Sequence, residues 1–127
     1  MRDWPHFSHE ELRCKHCGEC HMDEGFMESL ERLRVDFGHP IPISSAYRCP
    51  THNASVSSTG LAGPHTTGKA IDARVHGGRA LKLLGMAPSY GFTGIGVAQK
   101  GVHSSRFIHL DTLTSDEMPP RPWVWSY

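Results

Sequence analysis

The chain has 127 residues, with 13 Lys and Arg balanced by 13 Asp and Glu, ten histidines and a formal net charge of zero. That length suits one hydrophobic core, so residues 1–127 are expected to form a single domain. No basic cluster could track phosphates, and no apolar run approaches the roughly 20 residues of a membrane span, which argues against nucleic-acid binding and membrane insertion.

In chain order, the N-terminus lacks the apolar stretch of a secretory signal, so synthesis in the cytoplasm is expected. Ser8 followed by Glu11 is a capping-box pattern and predicts a short helix over residues 8–12. Cys14, Cys17 and Cys20 then fall at CxxCxxC spacing with His16 and His21 beside them, while Cys49 stands alone next to Arg48. CxxC is a metal-knuckle spacing. With Cys49 folded back, Cys14, Cys17, Cys20 and Cys49 can form a second, structural zinc site that pins residues 1–22 onto the domain. Reduced thiols and disulfides are the competing readings, the latter disfavoured by a reducing cytoplasm.

Asp23 is a cap for a longer helix whose Phe26, Leu30, Leu33 and Phe37 share one face, ended by Gly38 and Pro40. That stripe reads as core. Residues 41–47 read as a strand, 50–56 as a short helix, 77–85 as a helix bracketed by glycine, and 90–97 as a turn entering a strand. The order predicts an α+β fold, a small central antiparallel sheet with flanking helices.

Chemistry concentrates in two runs. Residues 70–75 and 106–111 alternate as short strands, with Ile108 and Leu110 on the core side and Phe107, His109 and Asp111 on the other. If the two strands are antiparallel neighbours, Asp72 and His109 project side by side. His65 comes from the loop before, where Gly68 permits the chain to fold back. Two histidines and one aspartate are the ligand set of a hydrolytic zinc site with a fourth position open to water. The zinc site is thus expected on the sheet face.

The pair of motifs, HxxGxAxD and HxD, resembles the zinc D-alanyl-D-alanine carboxypeptidase family of peptidoglycan peptidases, in particular the small single-domain forms of bacteriophage lysis enzymes. Residues 43–54 are similar to the strand, turn and arginine that precede the metal motif there, and residues 125–127 to its closing aromatic strand. The resemblance implies one catalytic zinc on His65, Asp72 and His109, and a peptide of the bacterial cell wall as partner, handled by a monomer. It implies Arg48 as a catalytic and substrate-binding group, with Tyr47 and Asn53 flanking it in the cleft. An enzyme of this kind, made in the host cytoplasm, reaches the wall by a separate route such as a holin.

One departure stands out. Many relatives carry a glutamate three residues before the last ligand, or a histidine two before it, where this chain has Arg106 and Phe107. Asp111, about 7 Å along the strand from His109, is then the leading candidate for general base or water-orienting group, with a structural ion pair as its alternative and His103 as the fallback base. Trp123, Trp125 and Tyr127 either stack on substrate or close the core. Two function classes follow: a zinc peptidase of the stem peptide or cross-link, as an endolysin or a host wall-remodelling D,D-carboxypeptidase, and a non-catalytic zinc-dependent wall-binding module.

Overall fold

A computed structural model describes residues 2–127. Four helices, α1 (His9–Leu12), α2 (Glu24–Phe37), α3 (Pro50–Val56) and α4 (Gly77–Met86), accompany strands β1 (Ile43–Ser45), β2 (Ala70–Ala73), β3 (Gly94–Ala98), β4 (Phe107–Asp111) and β5 (Trp123–Ser126). The fold is α+β, as the order of elements predicted. Both expected caps are present: Ser8 and Glu11 close a capping box on α1, and the Asp23 carboxylate accepts from the Phe26 amide at 2.8 Å. Gly38 ends α2 at φ 77°, in the left-handed region glycine adopts without penalty.

The five strands lie in the order β1-β2-β4-β3-β5. The sheet is mixed, which corrects the expectation of a purely antiparallel one: β5 runs parallel to β3. The cause is in the connection. Antiparallel pairing puts the end of β4, at Asp111, opposite the start of β3, at Gly94. The following segment returns along that same end, where the Trp123 amide donates to the Thr93 carbonyl at 2.9 Å, so β5 leaves in the direction of β3.

The apolar face of α2 supplies Phe26, Met27, Leu30, Leu33 and Phe37, each almost fully buried, to one core cluster with Ile71, Ile108 and Leu110 of the sheet and Leu83 of α4. Burial of each such side chain contributes roughly 1.5–3 kcal/mol. Trp4, Phe7, Leu12 and Cys14 join the same cluster, so the N-terminal segment is packed into it. With one sheet face committed to helices, the opposite face is left for polar chemistry.

Candidate metal centre

Register places the site. Ser45, Asp72, His109, Gly96 and Trp125 are successive partners across all five strands, forming one cross-sheet row. Two residues along, Ala70, Asp111, Gly94 and Trp123 form a second row on the same face. The two glycines make room. A Cβ on Gly94 would collide with the Asp111 carboxylate, and one on Gly96 would lie 2.6 Å from the Trp125 indole nitrogen. Trp125 can therefore lean over Gly96, bringing its ring centroid within 5.0 Å of that of His109.

His65 arrives from a 3-10 turn, Pro64–Thr67, closed by Gly68 at φ 74°. At Gly68 any Cβ would also strike the His21 carbonyl, so glycine is required on two counts. The His65 Nδ1–H donates to the Ala46 carbonyl at 2.8 Å. Its Nε2 lies 3.3 Å from Asp72 Oδ1, and His109 Nδ1 lies 3.2 Å from the same oxygen. All three side chains are buried.

Proton accounting decides what this cluster suits. A carbonyl only accepts, so His65 carries its proton on Nδ1 and turns the Nε2 lone pair toward Asp72. On the far side, His109 Nε2 lies 2.8 Å from Asp111 Oδ2. Burial raises the Asp111 pKa, but hydrogen bonds from His109 and Arg121 outweigh it and the net shift is downward. The carboxylate therefore accepts from His109 Nε2–H, leaving Nδ1 facing Asp72. Burial favours protonated Asp72, but the two histidines beside it outweigh that and hold the carboxyl below its usual range; burial likewise lowers His109, but its contacts with Asp111 and Asp72 outweigh that and hold it above its ordinary value. His65 Nε2 and His109 Nδ1 thus converge on one carboxylate oxygen, where a proton on His109 can sit between ring and carboxylate, or a metal ion can replace it and draw a lone pair from each ring. Tetrahedral zinc, with bonds of about 2.0–2.2 Å to nitrogen and oxygen, sets its ligand atoms about 3.4 Å apart, close to the spacing found here. The donor set fits zinc.

The remaining expected residues divide. Arg48 reaches the site: Nη2 is 3.6 Å from Asp72 Oδ2, with Nε donating to Ser45 Oγ at 3.1 Å and Nη1 to Asn53 Oδ1 at 3.2 Å. Asn53, expected in the cleft, is fully buried behind Arg48, and its amide donates to Thr59 Oγ1 and the Gly60 carbonyl. Tyr47 is also turned away, buried with the His21 ring edge-on at 5.1 Å. Asp111 is fully buried and clamped by Arg121, whose Nε and Nη2 donate to its two oxygens at 3.0 and 2.8 Å. That geometry suits a group orienting His109 better than one taking a proton from water. His103 stacks on His76, centroids 4.2 Å apart, and lies outside the cavity at the site. The cavity measures about 540 Å³ and runs from Arg48 and Ser57–Thr59, over the three candidate ligands, to Trp123, Trp125 and Tyr127. The aromatic strand thus lines the cleft. Sequence reasoning missed Arg121, an isolated cation in a proline-rich loop with no pattern to mark it.

Among the cysteines, Cys14, Cys17 and Cys49 come together with their sulfurs within 4.8 Å of one another. Cys20 is not a member of that group, which corrects the expected four-cysteine set.

A sequence model of the peptidase M15 family matches residues 5–111. The chain belongs to the peptidase M15 family. This is a family of zinc-dependent peptidases of the D-alanyl-D-alanine carboxypeptidase type. The M15 match spans His65, Asp72, His109 and Asp111, and stops before Arg121 and β5. None of the curated proteins compared matches the chain. Among the described residues, no helix of this M15 chain is long and apolar enough to cross a membrane.

Proposed function

We propose that this chain is a peptidoglycan peptidase of the phage endolysin kind, a monomer that cuts a stem or cross-link peptide with one zinc held by His65, Asp72 and His109. The observation that carries the reading is the convergence of two imidazole nitrogens and a carboxylate beneath an open cavity edged by a guanidinium. Bound there, zinc would bring the acidity of water toward neutrality and polarise a peptide carbonyl.

The chain's own groups do the rest. Ala46 and Asp111 fix the tautomers and ring planes of the two histidines, each by accepting the proton on the nitrogen turned away from the site. Arg48, steadied by Ser45 and Asn53, offers its planar fork to a substrate carboxylate or to developing negative charge at the carbonyl oxygen. Trp123, Trp125 and Tyr127 supply an apolar wall and exclude water from one side of the cavity. Stem peptides, rich in carboxylates on an aliphatic backbone, match that pairing of cation and rings.

One feature favours a second reading. Apart from His65, Asp72 and His109, no carboxylate or imidazole among the described residues lines the cavity. A wall-binding module that holds the ion without turnover would have the same lining.

Mass analysis of fragments released from purified Gram-negative peptidoglycan by the zinc-loaded chain separates the two. New amino termini at alanyl-glutamate or alanyl-diaminopimelate bonds, absent with His109→Ala, are expected and name the bond. Retention on the wall without fragments supports the binding module.

A further inference from the structure

Outside the cavity, the densest set of metal-ligating side chains sits where the N-terminal segment meets the start of α3. We propose that Cys14, Cys17, Cys49 and His16 form a second zinc site, which fastens the N-terminal segment to the strand-to-helix corner carrying Arg48.

The local backbone is built as a knuckle. The Cys14 amide donates to the Glu19 carbonyl at 2.7 Å and the Gly18 amide to the Cys14 carbonyl at 2.9 Å, closing a tight turn around CxxC. Gly18, at φ 79°, takes the left-handed conformation directly after the second cysteine. The turn brings Cys14 and Cys17 to Cys49, 35 residues further on from Cys14, with all three sulfurs within 4.8 Å of one another.

Two backbone amides are aimed at these sulfurs: Cys49 N–H lies 3.3 Å from Cys14 Sγ, and His52 N–H lies 3.4 Å from Cys49 Sγ. Such donors favour the anionic sulfur that a metal requires. Three thiolates this close repel unless a cation sits among them.

The fourth ligand is chosen by distance. With zinc–sulfur bonds of about 2.3 Å and zinc–nitrogen bonds of about 2.0–2.1 Å, tetrahedral angles put sulfur and nitrogen about 3.6 Å apart. His16 Nδ1 lies 3.6 Å from Cys49 Sγ, but His16 is outside the set whose ligand atoms all lie within 4.8 Å of one another, so its ring must turn to complete the site. The ring is exposed, stacked on His52 at 5.7 Å, so it can turn onto a metal without disturbing the core. Closed by three sulfurs and one nitrogen, the site has no position for water and is structural.

Its effect on the cleft runs through one peptide bond. Cys49 follows Arg48, and Asn53, four residues on, receives the Arg48 fork. Fixing Cys49 therefore fixes both the backbone of the cavity's cation and the start of the helix that orients it.

The test is metal content by mass spectrometry, with cobalt substitution, on protein purified anaerobically. The wild type is expected to hold two ions per chain, and Cys17→Ser and His16→Ala one each, while Cys20→Ser keeps both. The double variant His65→Ala, His109→Ala, which abolishes the proposed catalytic site, is expected to keep one ion with an intense sulfur-to-cobalt charge-transfer band. This site is thus read independently of the proposed peptidase activity. Absence of that band in the double variant, or a disulfide between any two of the three cysteines, overturns the proposal. Two ions retained in His16→Ala, or one lost in Cys20→Ser, overturns the ligand set.

Discussion

Asp111 and Arg121 form a two-pronged ion pair on the side of His109 away from the candidate metal centre, with both carboxylate oxygens occupied at 2.8 and 3.0 Å. Asp111 Oδ2 also accepts from His109 Nε2. Ring orientation on β4 is thus set by a loop residue outside the span shared with the family. Asp111→Asn is expected to weaken zinc binding by about 10- to 100-fold, the usual effect of losing a carboxylate behind a ligating histidine. Competition with a chromophoric chelator measures it. Unchanged affinity with turnover abolished would instead return Asp111 to proton transfer.

Arg121→Ala leaves a fully buried carboxylate without its cation. The Arg121 side chain is only 6% exposed, so its pair with Asp111 is a buried one. Stability should fall by about 3–5 kcal/mol, as for other broken buried pairs. Arg121→Lys should lose less, keeping the charge but not the fork. Urea unfolding of the three proteins gives the order.

Two glycine substitutions should have opposite signs. Gly94→Ala drives a methyl into the Asp111 carboxylate and is expected to lower both stability and zinc affinity. Gly85→Ala, in the last turn of α4 with open space around it, should stabilise by about 0.5–1 kcal/mol by restricting the unfolded chain. Paired thermal melts, with chelator competition for the first variant, check both.

Lys69 donates to Glu117 at 2.7 Å, tying the entry of β2 to the loop that carries Met118 and Arg121. Through that hydrogen bond each raises or lowers its partner: Lys69 is pushed above its ordinary 10.5 and Glu117 below its ordinary 4.5. A depressed carboxyl stabilises above its unfolded value and loses that contribution as pH falls through its folded one. A raised amine stabilises below its unfolded value and loses that contribution as pH rises through its folded one. The coupling between Lys69→Met and Glu117→Gln should therefore be full at neutral pH and vanish in both strong acid and strong alkali. A double-mutant cycle at three pH values reads it; a coupling constant through acid contradicts it.

The convergence of His65, Asp72 and His109 was legible because strand alternation fixes which side chains share a face, and Gly68 marks where the loop must fold back. The helices were legible from Ser8, Asp23 and Gly38. Tyr47 and Asn53 turn away from the cleft for different reasons: Tyr47 sits in connecting backbone, where no period fixes direction, while Asn53 lies in α3, a helix of seven residues too short for an apolar period to mark its buried face. Tyr47 turns to His21, and Asn53 turns behind Arg48 to bind Thr59 and Gly60. Asp111 was placed on the correct face of β4, but its role depends on Arg121, brought in by a loop of prolines without periodicity. The parallel sense of β5 was likewise hidden, because it follows from where the preceding loop lands.

β5 is hydrogen-bonded along one side only, to β3, and leaves Trp123 and Val124 more than half exposed. Yet it carries rings that wall the cavity. The amides of β5 should exchange with deuterated solvent sooner than those of β2 and β4, which are flanked on both sides. A peptide seated between Arg48 and Tyr127 would press on those rings and slow the exchange, so this rim of the sheet would act as a gauge of cleft occupancy that needs no label.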